Sequence, residues 1–178
     1  GFAPQDGVHA IRIAAAAIAE MAIGRIGDDT TVNVGQIEGG RASNIVPDYC
    51  EVSGELRSFS HEKALEELAK VEQIFAKEAE KRGGSIEFIR DICYQAYKTD
   101  EKESVVKEFQ KACTACGIKS SLIATFGGSD QNKMSEHGIP GIVMASAMHQ
   151  VHSCQEYTEV SEMAQVAGIV SELLQMKE

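Results

Sequence analysis

Residues 126–156 read FGGSDQNKMSEHGIPGIVMASAMHQVHSCQE, and this stretch holds most of the polar side chains that we expect to carry function. The glycine pair at 127–128 follows an apolar run and precedes a helical pattern, which predicts a turn from a strand into a helix. Ser129 or Asp130 is suited to cap that helix, because its side-chain oxygen can accept a hydrogen bond from the first helical turn.

The rest of the stretch predicts a second element beside this turn. The short helix should end at Gly138 because Pro140 cannot continue it, and residues 141–147 are predicted to form a short buried strand. His149 and His152 follow this strand. Open α/β sheets bind ligands in the loops at the carboxyl ends of their strands, so function is expected here.

Length and charge exclude several classes of partner. The chain has 178 residues, enough for one or two domains, and a formal net charge of −10. This charge opposes binding to nucleic acid or to an anionic membrane, so a small polar substrate fits better. No apolar run is long enough to span a membrane, because Arg12 and Glu20 interrupt residues 11–23, and no signal-peptide pattern is seen.

The five cysteines indicate a reducing, cytoplasmic environment, because they are odd in number and spread through apolar or helical patterns. Cys113 and Cys116 form a C-x-x-C pair at the end of a helical pattern. A redox pair should instead open a helix, where the dipole lowers the thiol pKa. Helix packing is therefore the favoured role of this pair, and a redox or metal role is the alternative.

Residues 1–95 predict most of a ferredoxin-like domain that lacks its first strand. Alternation of apolar and polar residues indicates strands, and spacings of three and four indicate helices. The predicted elements are a helix over Val8–Ile23 capped by Asp6, strands over Thr30–Ile37 and Tyr49–Phe59, a long helix that Ser60 caps and Gly83 ends, and a strand over Ser85–Cys93.

Residues 96–178 predict a second, α/β unit. Asp100 and Glu103 form the pattern of a capping box for its first helix. A strand to Phe126, the short helix, the strand after it and a final helix from about Val160 to Met176 complete the unit. Two strands leave an apolar sheet face uncovered, so this half is predicted to be part of a larger domain.

Two separate motifs resemble one enzyme family. GGSDQN at 127–132, GIP at 138–140 and HSCQE at 152–156 resemble the C-terminal signature of the di-zinc amidohydrolases that include peptidase T, aminoacylases and glutamate carboxypeptidases. GGRASNIVPD at 39–48, followed by ELRS at 55–58, is similar to the dimerisation domain of that family, nearest to the peptidase T-like branch. Both motifs in the expected order are more specific than either alone.

The resemblance implies an α+β chain, with a dimerisation or lid domain followed by the C-terminal part of a catalytic domain. The implied activity of the parent protein is zinc-dependent hydrolysis of small peptides, of the tripeptide aminopeptidase type, with two zinc ions. The resemblance implies that His152 is the last metal ligand of the family, and an imidazole at a strand end suits zinc. A polar loop histidine without a metal is the alternative. Glu156 is placed as the residue that orients this loop, and His149 is predicted to be an exposed loop residue outside the site.

Four residues are placed by the resemblance in the substrate site. Asn44 and Arg57 would meet the substrate's carboxylate or carbonyl, since an amide can donate to an oxyanion and a guanidinium can pair with a carboxylate. An Asx-turn for Asn44 and a surface strand position for Arg57 are the alternatives. Gly128 and Ser129 would line the site through their backbone, although ordinary turn chemistry explains the glycines equally well.

The remaining ligands of the family are not found in this sequence. No His-x-Asp occurs, and Glu66-Glu67 falls on a helical pattern as surface charge. The chain is therefore expected to carry one metal ligand and no catalytic residue, and to be inactive alone. An N-acyl-amino-acid deacylase or carboxypeptidase, and a non-catalytic dimerisation module, are the alternatives. A homodimer through the lid domain is implied, because open strand edges favour pairing.

Overall fold

The structure is a computed structural model that describes residues 1–175, and it divides into two compact units. The first unit is Gly1–Ala96, and the second begins at Tyr97. Both contain helices and antiparallel strands, so the predicted mixed α+β class is confirmed. No helix among residues 1–175 is both long and apolar enough to cross a membrane.

The first unit consists of an antiparallel sheet in the order β1-β2-β3 and two helices. The elements are α1 (Ala10–Glu20), β1 (Gly24–Ile26), β2 (Thr30–Gly39), β3 (Cys50–Ser58) and α2 (His61–Lys81). Strands β2 and β3 pair from Thr30 opposite Ser58 to Gly39 opposite Cys50, with a bulge at Gly35. The two helices pack against each other, and both contact β3.

Small residues let α1 approach its neighbours closely. Ala14 and Ala17 are buried on this helix together with Ile13, while Val32 of β2 and Ala79 of α2 are also buried. An alanine face permits a short distance between packed elements because it places little side-chain volume between them.

The helix caps follow the sequence prediction in part. Ser60 caps α2, because its hydroxyl accepts a hydrogen bond from the Lys63 N–H at 3.4 Å. The prediction that Asp6 caps α1 was wrong. His9 occupies that position, and its Nδ1 accepts from the Arg12 N–H at 3.2 Å. Asp6 instead closes a separate 3-10 turn, after which the backbone of Gly7 is extended.

The strand predicted over Ser85–Cys93 is not formed: none of these described residues belongs to a strand. Alternation of residue types is not sufficient, because a strand also needs a hydrogen-bonded neighbour. This segment pairs with neither β1 nor β3, and Ile89 is exposed. An ion pair between Arg90 and Glu72 links it to α2.

The second unit is organised around two packed helices. The described elements are α3 (Ser104–Ala115), α4 (Asp130–Glu136), β4 (Met148–His149), β5 (Tyr157–Thr158) and α5 (Val160–Gln175). Helices α3 and α5 pack together, and Ala112, Cys113 and Ile169 form the buried core between them. The predicted end of the last helix at Met176 lies outside the described residues.

Three predictions about the second unit were wrong. Asp100 and Glu103 form no capping box: Asp100 accepts from the Lys102 N–H at 2.8 Å, and Glu103 makes no capping bond with its side chain. The strands expected before Phe126 and over 141–147 are not among the described strands. Leu122, Ile123 and Val143 in these segments are exposed, with Ile123 at 80%, whereas Met144 packs against the helical core without forming a strand.

Candidate functional site

A short hairpin carries the predicted metal ligand. In it, β4 pairs antiparallel with β5, with Met148 opposite Thr158 and His149 opposite Tyr157. Residues 150–156, which we call the His152 loop, connect the two strands. The His152 side chain is exposed within this loop. The structure thus places the predicted ligand on a tight connection, anchored at both ends by strand pairing.

The backbone of this hairpin is unusual at three positions. Ala147, Gln150 and His152 are the described non-glycine residues with positive φ, at 61°, 50° and 63°. This left-handed conformation places the Cβ too close to the carbonyl oxygen and costs about 1–2 kcal/mol per residue. Such strain persists only where surrounding contacts fix it, and it concentrates at functional sites.

A side chain from the second half of the hairpin fixes the backbone at each strained position. The bonds are Thr158 Oγ1 to Ala147 O at 2.6 Å, Ser153 Oγ to Gln150 O at 2.7 Å and His152 N to Glu156 Oε2 at 2.9 Å. The last of these agrees with the orienting role predicted for Glu156. The loop is therefore held in one conformation by its own polar side chains.

His149 is not the exposed loop residue that the sequence predicted. Its Nε2 lies 2.5 Å from Glu162 Oε2, and its ring stacks on Tyr157 with centroids 4.8 Å apart and planes 15° apart. Both side chains of the His149–Glu162 pair are rather more than half covered. Sequence reasoning missed this contact because thirteen residues separate the partners, and no local spacing rule relates a strand end to the next helix.

Ser129 lies at the predicted N-cap position of α4, but its buried hydroxyl makes no hydrogen bond within residues 1–175. Its backbone N–H donates to the Asn132 side-chain oxygen at 3.0 Å. Asp130 lies in the first turn, where a negative charge is favoured by the helix dipole. Gly128 is exposed, and its predicted role in lining a substrate site stays a prediction, as does that of Ser129.

Asn44 and Arg57 lie in the first unit. Asn44 is exposed in the connection between β2 and β3, within a turn that the Ile45 N–H closes by donating to Ala42 O at 3.2 Å. The carbonyl of Asn44 accepts from the N-terminal amino group of Gly1. Within residues 1–175 its side-chain amide makes no hydrogen bond, so it is not committed to an Asx-turn.

Arg57 projects from β3 and is paired on its own strand. Its guanidinium donates to the Glu55 carboxylate at 2.8 Å and is 43% exposed. This hydrogen bond lowers the pKa of Glu55 from its ordinary value. An exposed pair of this kind contributes at most about 1 kcal/mol, so the contact with Glu55 is weak.

The described residues do not by themselves fit a two-metal centre. No group of three or more His, Cys, Asp or Glu side chains among residues 1–175 is arranged to hold a metal ion. A zinc site needs three or four such ligands, and His152 is the one predicted from the sequence. Cys113 is buried in the helical core, and burial raises the pKa of its thiol. This agrees with the packing role favoured for the C-x-x-C pair.

Comparison with known proteins settles the family of the first unit. Residues 1–83 match the family model described as the peptidase dimerisation domain of M20 peptidases. Residues 1–83 are an M20 dimerisation domain. The whole chain is also 34% identical over 175 residues to the uncharacterized protein YqjE of Bacillus subtilis. That match covers 98% of this chain and 47% of the relative.

Solved structures resemble this chain over both units. Aminopeptidase PepT from Bacillus cereus is 36% identical with a TM-score of 0.82, covering 97% of this chain and 48% of PepT. A tripeptidase from Staphylococcus aureus is 31% identical with a TM-score of 0.90, over 97% of this chain and 46% of the tripeptidase. This chain therefore spans about half the length of these relatives.

A more distant structure shares the fold alone. The YxeP protein of Bacillus subtilis, described as a dinuclear metal binding peptidase of the M20 family, is 18% identical with a TM-score of 0.72. The match covers 93% of this chain and 45% of YxeP.

Proposed function

We propose that this chain is the dimerisation domain and C-terminal catalytic part of a zinc-dependent peptidase that hydrolyses small peptides, with a preference for tripeptides. The observation that carries the proposal is its match over 97% of its length to an aminopeptidase and to a tripeptidase. Because the chain spans about half of each, the remaining catalytic residues are proposed to come from a further part of the same protein.

In this proposal, His152 is one zinc ligand, and the hairpin around it supplies the fixed geometry that a metal site needs. Asn44 and Arg57 bind the carbonyl and the carboxylate of the substrate, and they are proposed to act on the partner subunit's active site or after domain closure. The backbone at Gly128 and Ser129 lines the substrate site. The other zinc ligands and the general base lie outside these residues.

The chain alone is proposed to be a non-catalytic dimerisation module. The absence of any group of three metal-ligating side chains within residues 1–175 favours this second reading. The first unit is proposed to form the homodimer, because β1 and β3 each have one edge without a strand partner among the described residues. A chain that sediments as a monomer at all concentrations would contradict the dimer.

Zinc content and turnover, measured on the same samples, test the function. The complete gene product and the 178-residue chain are purified without chelator and assayed on a tripeptide and on an N-acetyl amino acid. We expect about two zinc ions per chain and tripeptide hydrolysis for the complete product, and neither for the chain alone. Two zinc ions and turnover in the chain alone would overturn the proposed division of ligands.

The choice of substrate separates peptidase from deacylase. Turnover of the N-acetyl amino acid without turnover of the tripeptide would replace the peptidase proposal by the deacylase alternative. A cytoplasmic location is also proposed, because the five cysteines are all free thiols in the structure.

A further inference from the structure

Three side chains meet at the base of the His152 loop. The His149 ring lies between the Glu162 carboxylate, 2.5 Å from its Nε2, and the face of Tyr157, 4.8 Å away between ring centroids. We call this set, His149 with Tyr157 and Glu162, the His149 clasp. It belongs to the hairpin and to the first turn of α5, so it joins both strands to the helix that packs in the core.

The clasp holds the two ends of the His152 loop together. His149 is the residue before the loop, and Tyr157 is the residue after it. The loop contains two of the three strained residues, Gln150 and His152. Strained backbone relaxes when its ends are released, so the contact that holds both ends together also maintains the conformation of His152.

The partners are better arranged than an ordinary surface ion pair. A lone pair of this exposure contributes little, because solvent screens it and two side chains must be ordered. Here ring stacking already orders His149, and the first-turn position of Glu162 on α5 favours its negative charge. The cost of forming the contact is therefore reduced, and the clasp is suited to holding a loop.

We propose that His149 and Glu162 are positioning residues, which hold the His152 loop so that the His152 imidazole is fixed in its ligand orientation. This inference rests on the proposed function for the role of His152, but the clasp itself is defined by geometry. Neither residue is a ligand in this proposal. They act through the loop backbone, together with the bond from the His152 N–H to Glu156.

The test uses the complete gene product with Glu162→Ala and His149→Ala. Glu159→Ala is the matched control, because Glu159 is exposed, carries the same charge three residues earlier, and makes no side-chain hydrogen bond within the described residues. Three quantities are measured: hydrogen exchange of peptides covering residues 147–158, the zinc dissociation constant, and kcat and KM separately.

We expect faster exchange confined to residues 147–158 in both clasp variants, with the rest of the protein unchanged. Zinc affinity should fall about tenfold and kcat should fall with KM nearly unchanged, since orientation of a ligand is lost and substrate contacts are kept. Glu159→Ala should match the wild type. If Glu162→Ala unfolds the protein, the same measurements on Glu162→Gln test the proposal instead.

The proposal would be overturned if hydrogen exchange in the His152 loop were unchanged in the clasp variants. It would also be overturned if Glu159→Ala had an equal effect. Faster exchange with unaltered zinc affinity would also overturn it, because the loop would then move without consequence for the ligand. A wild-type product that holds no zinc refutes the proposed function instead. The exchange measurement still reports on the clasp in that case, so the two failures are distinguishable.

Discussion

The backbone N–H of His152 donates to the Glu156 carboxylate at 2.9 Å, and His152 holds a left-handed backbone with φ of 63°. The acceptor is charged, and hydrogen bonds to charged groups are about twice as strong as neutral ones. A glutamate four residues after the histidine thus compensates for part of the strain at that histidine. The four-residue spacing of the HSCQE motif allows this contact, which is the basis for the orienting role predicted for Glu156.

Glu156→Ala in the complete gene product is expected to weaken zinc binding about tenfold and to lower kcat, because the His152 backbone loses its acceptor. Glu156→Gln should fall between this variant and the wild type, since an amide oxygen still accepts a hydrogen bond without the charge. Competition with a coloured chelator measures the zinc affinity. If Glu156→Gln and Glu156→Ala are equally impaired, the carboxylate has a role other than accepting from His152.

Arg57→Lys is expected to lower kcat/KM for a tripeptide about tenfold to a hundredfold, because a lysine cannot form the two parallel hydrogen bonds of a guanidinium to a carboxylate. The same tripeptide with a C-terminal amide should be affected much less. The control is Arg41→Lys, since Arg41 is 76% exposed and pairs with Asp48 at 3.3 Å. An equal loss on both substrates would mean that Arg57 does not recognise the carboxylate.

Glu78 on α2 predicts a pH dependence of stability. Its side chain is 1% exposed and is paired with Arg82 and Lys81. Burial raises the pKa of Glu78, but the hydrogen bond and charge of Arg82, aided by Lys81, outweigh burial and hold this pKa below its ordinary value. A carboxyl with a depressed folded pKa stabilises the fold at neutral pH, and this contribution is lost as pH falls through the folded pKa.

Thermal unfolding of wild type and Glu78→Gln from pH 7 down to about pH 3 measures this dependence. We expect Glu78→Gln to have the lower Tm at pH 7 and the gap to narrow with acid, since the wild-type carboxylate then becomes protonated. Glu80→Gln, at an exposed position of the same helix, is the control and should follow the wild type. A gap that is constant with pH would show that the charge of Glu78 does not stabilise the fold.

The features that the sequence predicted correctly depend on residues close together in the chain. Ser60 caps α2 with its hydroxyl, Ser129 lies at the N-cap position of α4, and Gly83 and Gly138 follow helix ends with φ of 73° and 75°. A cap depends on side chains within one helical turn, so a single stretch of sequence contains all the information needed. The left-handed conformation at a helix end is likewise a property of glycine itself.

What the sequence did not predict depends on distant partners. Residues 85–93 alternate between apolar and polar side chains, and residues 141–147 are mostly apolar. Both patterns are typical of strands, but a strand also needs a neighbouring strand edge, which the pattern does not specify. The contact between His149 and Glu162 joins a strand end to the following helix and has no signature in spacing. The orienting role of Glu156 was predicted from a family motif, and its hydrogen bond to the His152 backbone is visible only in the folded loop.

The bulge between β2 and β3 offers a matched pair of glycines. A Cβ on Gly54 would lie 2.6 Å from the Asn33 carbonyl oxygen, whereas one on Gly35 would meet its nearest atoms at 3.8 Å or more. Neither glycine has a positive φ, so the difference between them is contact with the neighbouring strand. Gly35 is the bulged residue, which has no partner in the pairing register.

Gly54→Ala is therefore expected to lower the free energy of unfolding by about 1–3 kcal/mol, because the rigid backbone of β2 must shift to admit the methyl group. Gly35→Ala should change it by less than about 0.5 kcal/mol, since the new contacts are ordinary and the unfolded chain loses some freedom. Urea unfolding of both variants beside the wild type measures the difference. Equal destabilisation by the two substitutions would mean that the whole bulge, rather than the close approach at Asn33, requires glycine.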